Sequence, residues 1–225
     1  MIKLVAIEKY YVVGNEQQMV IKGVDFEIKK GETVAILGKS GSGKSTILNI
    51  LGLLDAPTGG KYYLDDKESS HYTENERATV RNKTFGFIFQ QFNLLPKLSV
   101  LDNVVAPLYY SSDRSKWAKR KEIGMELLKK FDIAEQAHKL PKLLSGGQQQ
   151  RVAMARSLVN DPEIIIGDEP TGALDSKTTE QVMREIFRLN TEFGKTVIFV
   201  THDDELASKF DRIIRLKDGV VVNEF

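Results

Sequence analysis

Hydrophobic and polar positions follow two different periods along this chain. Near the N-terminus the period is two. Residues 2–8 read as a strand, and 20–28 read as another, with Val20, Lys22, Val24, Phe26 and Ile28 alternating against their neighbours. Lys30-Gly31-Glu32 then turns the chain into a short apolar strand, Thr33–Leu37, and a helix is expected from about Lys44 to Leu54. Pro57, Gly59 and Gly60 mark a turn before a strand-like piece, Lys61–Leu64. Thr73 and Glu76 have the spacing of a capping box, so a helix should start there and run to about Asn82, with a strand at Phe85–Phe89 after it.

From Val100 to Leu143 the period becomes helical, with Ile123, Leu127, Leu128 and Phe131 on one face. Ser145 and Gln148 form a second capping-box pair that opens a helix to about Leu158. Strand Glu163–Gly167, helix Thr178–Asn190, strand Thr196–Val200, short helix Asp204–Phe210 and two terminal strands complete the pattern. Alternation of strand and helix predicts an α/β fold with a mostly parallel core sheet. The early strands form an antiparallel β subdomain, and residues 92–155 form a helical insertion. The whole of 1–225 is expected to be a single domain.

Composition narrows the function. The 225 residues are 41% hydrophobic, enough for a packed core, and 32 Lys and Arg against 31 acids leave a formal charge of +1. Such balance gives no electrostatic footprint for nucleic acid or for anionic lipid. The absence of cysteine excludes disulfides, thiol catalysis and zinc-thiolate sites, and fits a reducing compartment. Met1–Lys9 is too short and too quickly charged for a signal peptide. No apolar run approaches the roughly 20 residues of a membrane span, so a soluble protein is expected, serving any membrane from outside the bilayer.

Three segments carry candidate chemistry. The loop Gly38-Lys39-Ser40-Gly41-Ser42-Gly43-Lys44-Ser45 matches Gly-x-x-x-x-Gly-Lys-[Ser/Thr] between a strand and a helix. Its glycines let backbone N–H groups curve around phosphate oxygens, and the helix dipole adds to the attraction. Lys44 would reach the β/γ-phosphates, Ser45 would ligate Mg²⁺ and Thr46 would bond the α-phosphate. Ile164-Ile165-Ile166-Gly167-Asp168-Glu169 is an apolar strand ending in two acids, delivered to the ligand crevice of a parallel sheet. Asp168 can hold a water on Mg²⁺ and Glu169 can polarise the attacking water. Leu144-Ser145-Gly146-Gly147-Gln148 offers a second anion site, a hydroxyl and backbone N–H groups at a helix start.

In this order the three segments resemble the ATP-binding subunit of ABC transporters over nearly the whole chain. The resemblance implies a P-loop NTPase ABC ATPase domain with a helical signature subdomain, and further roles. Gln90, after Phe85-Gly86-Phe87-Ile88-Phe89, matches the Q-loop glutamine that touches Mg²⁺ and faces the membrane partner. Asp175 of Ala173-Leu174-Asp175 matches the D-loop, and His202 matches the switch histidine at the γ-phosphate. Tyr11 sits where the family places an adenine-stacking aromatic, with Tyr10 a competitor for that role. Two copies are implied, head to tail, so that Ser145, Gly146, Gly147 and Gln148 of one complete the ATP site of the other. Intact motifs favour a homodimer with two working sites.

Within the family, Gly86–Leu95, Leu144–Arg151 and Asp168–Ser176 resemble the macrolide-export and lipoprotein-release group. Gly167 departs slightly, since alanine is more usual there. The resemblance implies a separately encoded permease, contacted near Gln90 and the helical subdomain, and a place on the cytoplasmic face of the cell membrane. A role in antimicrobial-peptide resistance, or a soluble non-transport ABC ATPase, stays open. His71 and His138 read as surface residues, Trp117 and Met125 as packing, and Lys116–Lys121 as a solvated helix face.

Overall fold

The computed structural model describes residues 1–169 and 176–224. In chain order its elements begin with β1 (Ile2–Val13), β2 (Glu16–Ile28), β3 (Thr33–Leu37), α1 (Lys44–Leu51), β4 (Gly59–Leu64) and β5 (Lys67–Glu68). Next come α2 (Glu74–Thr84), β6 (Phe85–Phe89), α3 (Val100–Val105), α4 (Arg114–Ala118), α5 (Arg120–Lys130) and α6 (Gly146–Leu158). The chain closes with β7 (Ile164–Asp168), α7 (Ser176–Thr191), β8 (Thr196–Thr201), α8 (Asp204–Ala207), β9 (Arg212–Lys217) and β10 (Val220–Glu224). It divides into two compact units, Met1–Arg81 with Thr196–Phe225, and Asn82–Lys195.

The first unit holds the antiparallel sheet β2-β1-β4-β5 and the strand order β10-β9-β3-β8. β3 runs parallel to both β8 and β9. Every residue of β3 and β8 is buried, as expected of strands covered on both faces. β1 instead buries one face through Ile2, Leu4 and Ile7. Its register slips between Leu4 and Ile7, where Ala6 adopts φ 48°, a bulge that re-aims the strand.

The β1–β2 hairpin is longer than periodicity predicted, reaching Val13 and starting again at Glu16. Its outer part leaves Tyr11, Val12, Val13 and Met19 exposed. Cross-strand hydrogen bonds sustain it there, with no buried face to write a pattern into the sequence. α1 stops at Leu51 instead of Leu54, because Gly52 caps it and Leu53 takes φ 56°. Its Ile47, Leu48, Ile50 and Leu51 are buried. Tyr62 is also fully buried, and its hydroxyl donates to the Leu51 carbonyl at 2.7 Å.

In the second unit β6 and β7 pair in parallel, from Phe85 opposite Ile164 to Phe89 opposite Asp168. The helical stretch expected over 100–143 is broken into α3, α4, α5 and single 3-10 turns at Ala106–Tyr110, Ala134–Gln136 and Pro141–Leu143. Local caps cause the breaks. Ser99 accepts from the Asp102 N–H, and Asp113 from the N–H groups of Ser115 and Lys116. Pro107 and Pro141 lie at the starts of two of the 3-10 turns, where their missing N–H costs nothing.

Buried Asn103 anchors the preceding loop. Its amide donates to the carbonyls of Leu95, Leu98 and Ser99, and its oxygen accepts from the Leu95 N–H. Both predicted capping boxes form, Ser145 with Gln148 and Thr73 with Glu76. α8 ends at Ala207, short of the expected Phe210. His71 and His138 are exposed. Trp117 is half-buried between Tyr109, with ring centroids 4.2 Å apart, and the Arg120 guanidinium at 3.9 Å. In the run that follows Ser115, Lys116 is only half-exposed and donates to the Asn160 carbonyl at 2.9 Å.

Candidate nucleotide site

The glycine-rich loop leaves β3 at the level where Leu37 pairs with Thr201 of β8, and the Gly38 N–H donates to the Thr201 carbonyl at 3.2 Å. This register sets His202, exposed just after β8, beside the start of the loop. Glycine is required at two points. A Cβ on Gly38 would lie 2.5 Å from both the Leu216 carbonyl oxygen and Ser42 Oγ. Gly43 has φ 99°, and a Cβ there would meet Ile21 Cδ1 at 2.7 Å.

Inside this turn Lys44 is buried, 7% exposed, and its Nζ donates to the Lys39 carbonyl at 3.0 Å. Ser42 Oγ is buried without a hydrogen-bond partner. α1 starts from Gly43 with no side chain capping its N–H groups. Lys39, Ser40, Gly41 and Ser45 are exposed and Thr46 half-exposed. A buried ammonium, an unpartnered hydroxyl and an uncapped helix start together form a surplus of donors, which fits a polyphosphate. Tyr11 belongs to the same unit; its ring is 38% exposed and its hydroxyl donates to Asp55 Oδ2 at 2.9 Å. Tyr10, its sequence rival, is the less exposed of the two.

The second unit gathers the remaining candidates. Phe89 pairs with Asp168, so Gln90 and Glu169 leave neighbouring strands at one level. Glu169 has φ 42°, a left-handed backbone that costs a non-glycine residue about 1 kcal/mol or more. Gln90, Asp168 and Glu169 are each half-exposed. On α6, buried Leu144 anchors the segment while Ser145 is exposed and Gly146, Gly147 and Gln148 are half-exposed. Ser145 Oγ accepts the Gln148 N–H, and Gln148 Oε1 accepts the Ser145 N–H. Asp175 lies outside the described residues.

Sequence reasoning missed Arg156. Phe92 and Asn93, two residues past Gln90, take consecutive left-handed φ values of 57° and 48°. Arg156 reaches back from α6 and donates to both carbonyls, at 2.7 and 2.6 Å. Burial pushes its guanidinium down to about 10, still charged at neutral pH. A cation on a helix whose Val152, Ala153, Met154 and Ala155 are buried was the only signal in the sequence. Lys9 and Asp55 were missed as well. Among the described residues no three His, Cys, Asp or Glu side chains converge as a metal cluster. A divalent cation here would take hydroxyl, amide, water and phosphate oxygens, the hard donors that suit Mg²⁺.

Comparison with known proteins places these features. Residues 21–172 match the family model described as ABC transporter. The chain is 47% identical to YknY, an ABC transporter ATP-binding protein of Bacillus subtilis, covering 99% of this chain and 95% of that one. It is also 47% identical to the macrolide export ATP-binding/permease protein MacB of Bdellovibrio bacteriovorus, covering 100% of this chain but only 34% of that longer protein. Among solved structures, the dimeric post-hydrolysis state of the cassette MJ0796 with ADP and Pi, a protein of Methanocaldococcus jannaschii, superposes with a TM-score of 0.90. That match is 46% identical and covers 100% of this chain and 98% of the other.

Proposed function

The chain belongs to the ABC transporter family, and from that premise we propose that it is the ATP-binding, ATP-hydrolysing subunit that drives export, lipoprotein release or transmembrane force transmission through a membrane-embedded permease. The observation that carries this reading is Ser145. It presents an exposed hydroxyl at a glycine-flanked helix start, in a chain that already has a finished phosphate loop. A second anion site of this kind has work to do only if the first is completed by another copy.

In this reading Gly38–Thr46 hold the phosphates of ATP, and Ser145, Gly146, Gly147 and Gln148 of a second copy close over the γ-phosphate. Each half alone leaves that phosphate partly in water. Closure surrounds it with fixed donors in a drier setting, where they stabilise developing charge more strongly. Ser45, Gln90 and, through a water, Asp168 would hold Mg²⁺, whose charge would offset that of the phosphates. Glu169 orients and polarises the attacking water, and His202 contacts the γ-phosphate. Loss of the shared γ-phosphate then releases the two copies, so that hydrolysis becomes motion.

The dimeric state of the MJ0796 cassette with ADP and Pi supports this assembly. Among the described residues no helix is long and apolar enough to cross a membrane. The resemblance to ABC transporter ATP-binding subunits supports a peripheral location on the cytoplasmic face, with the permease meeting the chain near Gln90 and the helical segments. Both compact units act as one cassette. The test is Glu169→Gln, which should bind ATP and cut turnover by about 100-fold or more. It should accumulate as a dimer in saturating ATP by light scattering; a monomer under those conditions would refute the shared site.

A further inference from the structure

Along β1, before the exposed outer part of the hairpin, Lys9 is only 8% exposed. Its Nζ donates to Asp55 Oδ1 at 2.6 Å and to the Ala56 carbonyl at 2.7 Å. The other oxygen of Asp55 accepts the Tyr11 hydroxyl, and the same ammonium lies 5.0 Å from the Tyr11 ring centroid, over one face. Partial burial and the Asp55 carboxylate push the Tyr11 phenol up, with Thr46 opposing. Burial also acts upward on Asp55, but Lys9, Tyr11 and the Ala56 N–H outweigh it and hold its carboxyl below the usual range. Asp55 is therefore ionised at neutral pH.

An exposed tyrosine on a hairpin ordinarily samples several rotamers. This one is restrained at its hydroxyl by Asp55 and at one ring face by the Lys9 ammonium. We propose that Lys9 and Asp55 are positioning residues, which lock the Tyr11 ring as a preformed platform for the nucleotide base. This rests on the reading that Tyr11 stacks the base. One ring face is taken by the ammonium, which leaves the other for the base. The hydroxyl is already engaged, so the platform offers a π face and no new hydrogen bond to a base edge. Ordering the ring before binding removes an entropic cost from the binding step.

The test compares ADP with pyrophosphate, which lacks the base, by calorimetry on the full chain with Mg²⁺. Tyr11→Ala should weaken ADP by about tenfold and leave pyrophosphate unchanged. Tyr11→Phe and Asp55→Asn should each weaken ADP by about threefold, again selectively, and the double variant should lose little more than either alone. Lys9→Met should share the selective loss, while Tyr11→Phe, which removes one oxygen, guards against a folding defect. If Tyr11→Ala leaves ADP affinity intact, the stacking reading falls and takes the clamp with it. If Tyr11→Ala weakens ADP but Tyr11→Phe and Asp55→Asn do not, stacking stands and the clamp is overturned. Equal loss of ADP and pyrophosphate in Asp55→Asn also overturns it, because Asp55 would then be shaping the phosphate loop.

Discussion

Two helix starts in the chain carry donors for a phosphate, and they are finished to different degrees. α1 begins from a glycine, with no side chain on its first N–H groups and a buried Lys44 folded beside them. α6 begins from Ser145, whose own oxygen already accepts the Gln148 N–H while Gln148 returns the favour. The first helix start has no side chain on its N–H groups, the arrangement that favours a phosphate there. The second is satisfied by itself, and what it has left to give is a hydroxyl proton and the N–H groups of Gly146 and Gly147. Such a segment is expected to bind little alone and, in the proposed assembly, to add its donors to a phosphate that another loop holds.

Three substitutions break or sharpen that contrast. The largest effect belongs to Ser145→Arg, which should cut steady-state ATP turnover by about 100-fold or more. ADP affinity, set by the other helix start, should stay within about twofold, since the charge lies outside that loop. Mixing this variant with Lys44→Ala should restore one working site per mixed dimer; no recovery would argue against a site shared between chains. Next comes Lys44→Ala alone, which removes a charged donor and should weaken ADP by about tenfold to a hundredfold in calorimetry. Unchanged ADP affinity would remove Lys44 from the phosphate site.

The smallest effect is expected from Ser145→Ala. It deletes the cap and should lower stability by about 1 kcal/mol, read as a fall in Tm, without touching ADP binding. A stability loss of that size in a variant with normal ADP affinity would show the two helix starts to be energetically separate.

Both capping boxes and the order of the three nucleotide motifs were legible in the sequence, because each is a local event. Ser145 meets Gln148 within one turn, and Gly38 to Ser45 must be contiguous to wrap a phosphate. Strand-length apolar runs likewise marked the buried parallel strands, where one residue type dominates at successive positions. The outer hairpin was not legible, since Val12 and Val13 pair through the backbone and bury nothing. Neither was the interruption of the helical stretch, which single side chains such as Asp113 decide by capping a new start.

By itself, then, the sequence determined the α/β class, the phosphate loop, the acid-tipped strand and the signature segment, all of which depend on neighbours within a few positions. Tertiary structure alone decided which cations are spent on scaffolding. Arg156 supports Phe92 and Asn93 from 64 and 63 residues away, and Lys9 finds Asp55 across 46. It also separated the two helix starts that look alike on paper, leaving one to wait for a ligand and the other to cap itself. The reason is physical: a hydrogen-bonding group shows its type in the sequence, but whether it is already satisfied depends on what the fold brings within 3 Å or so.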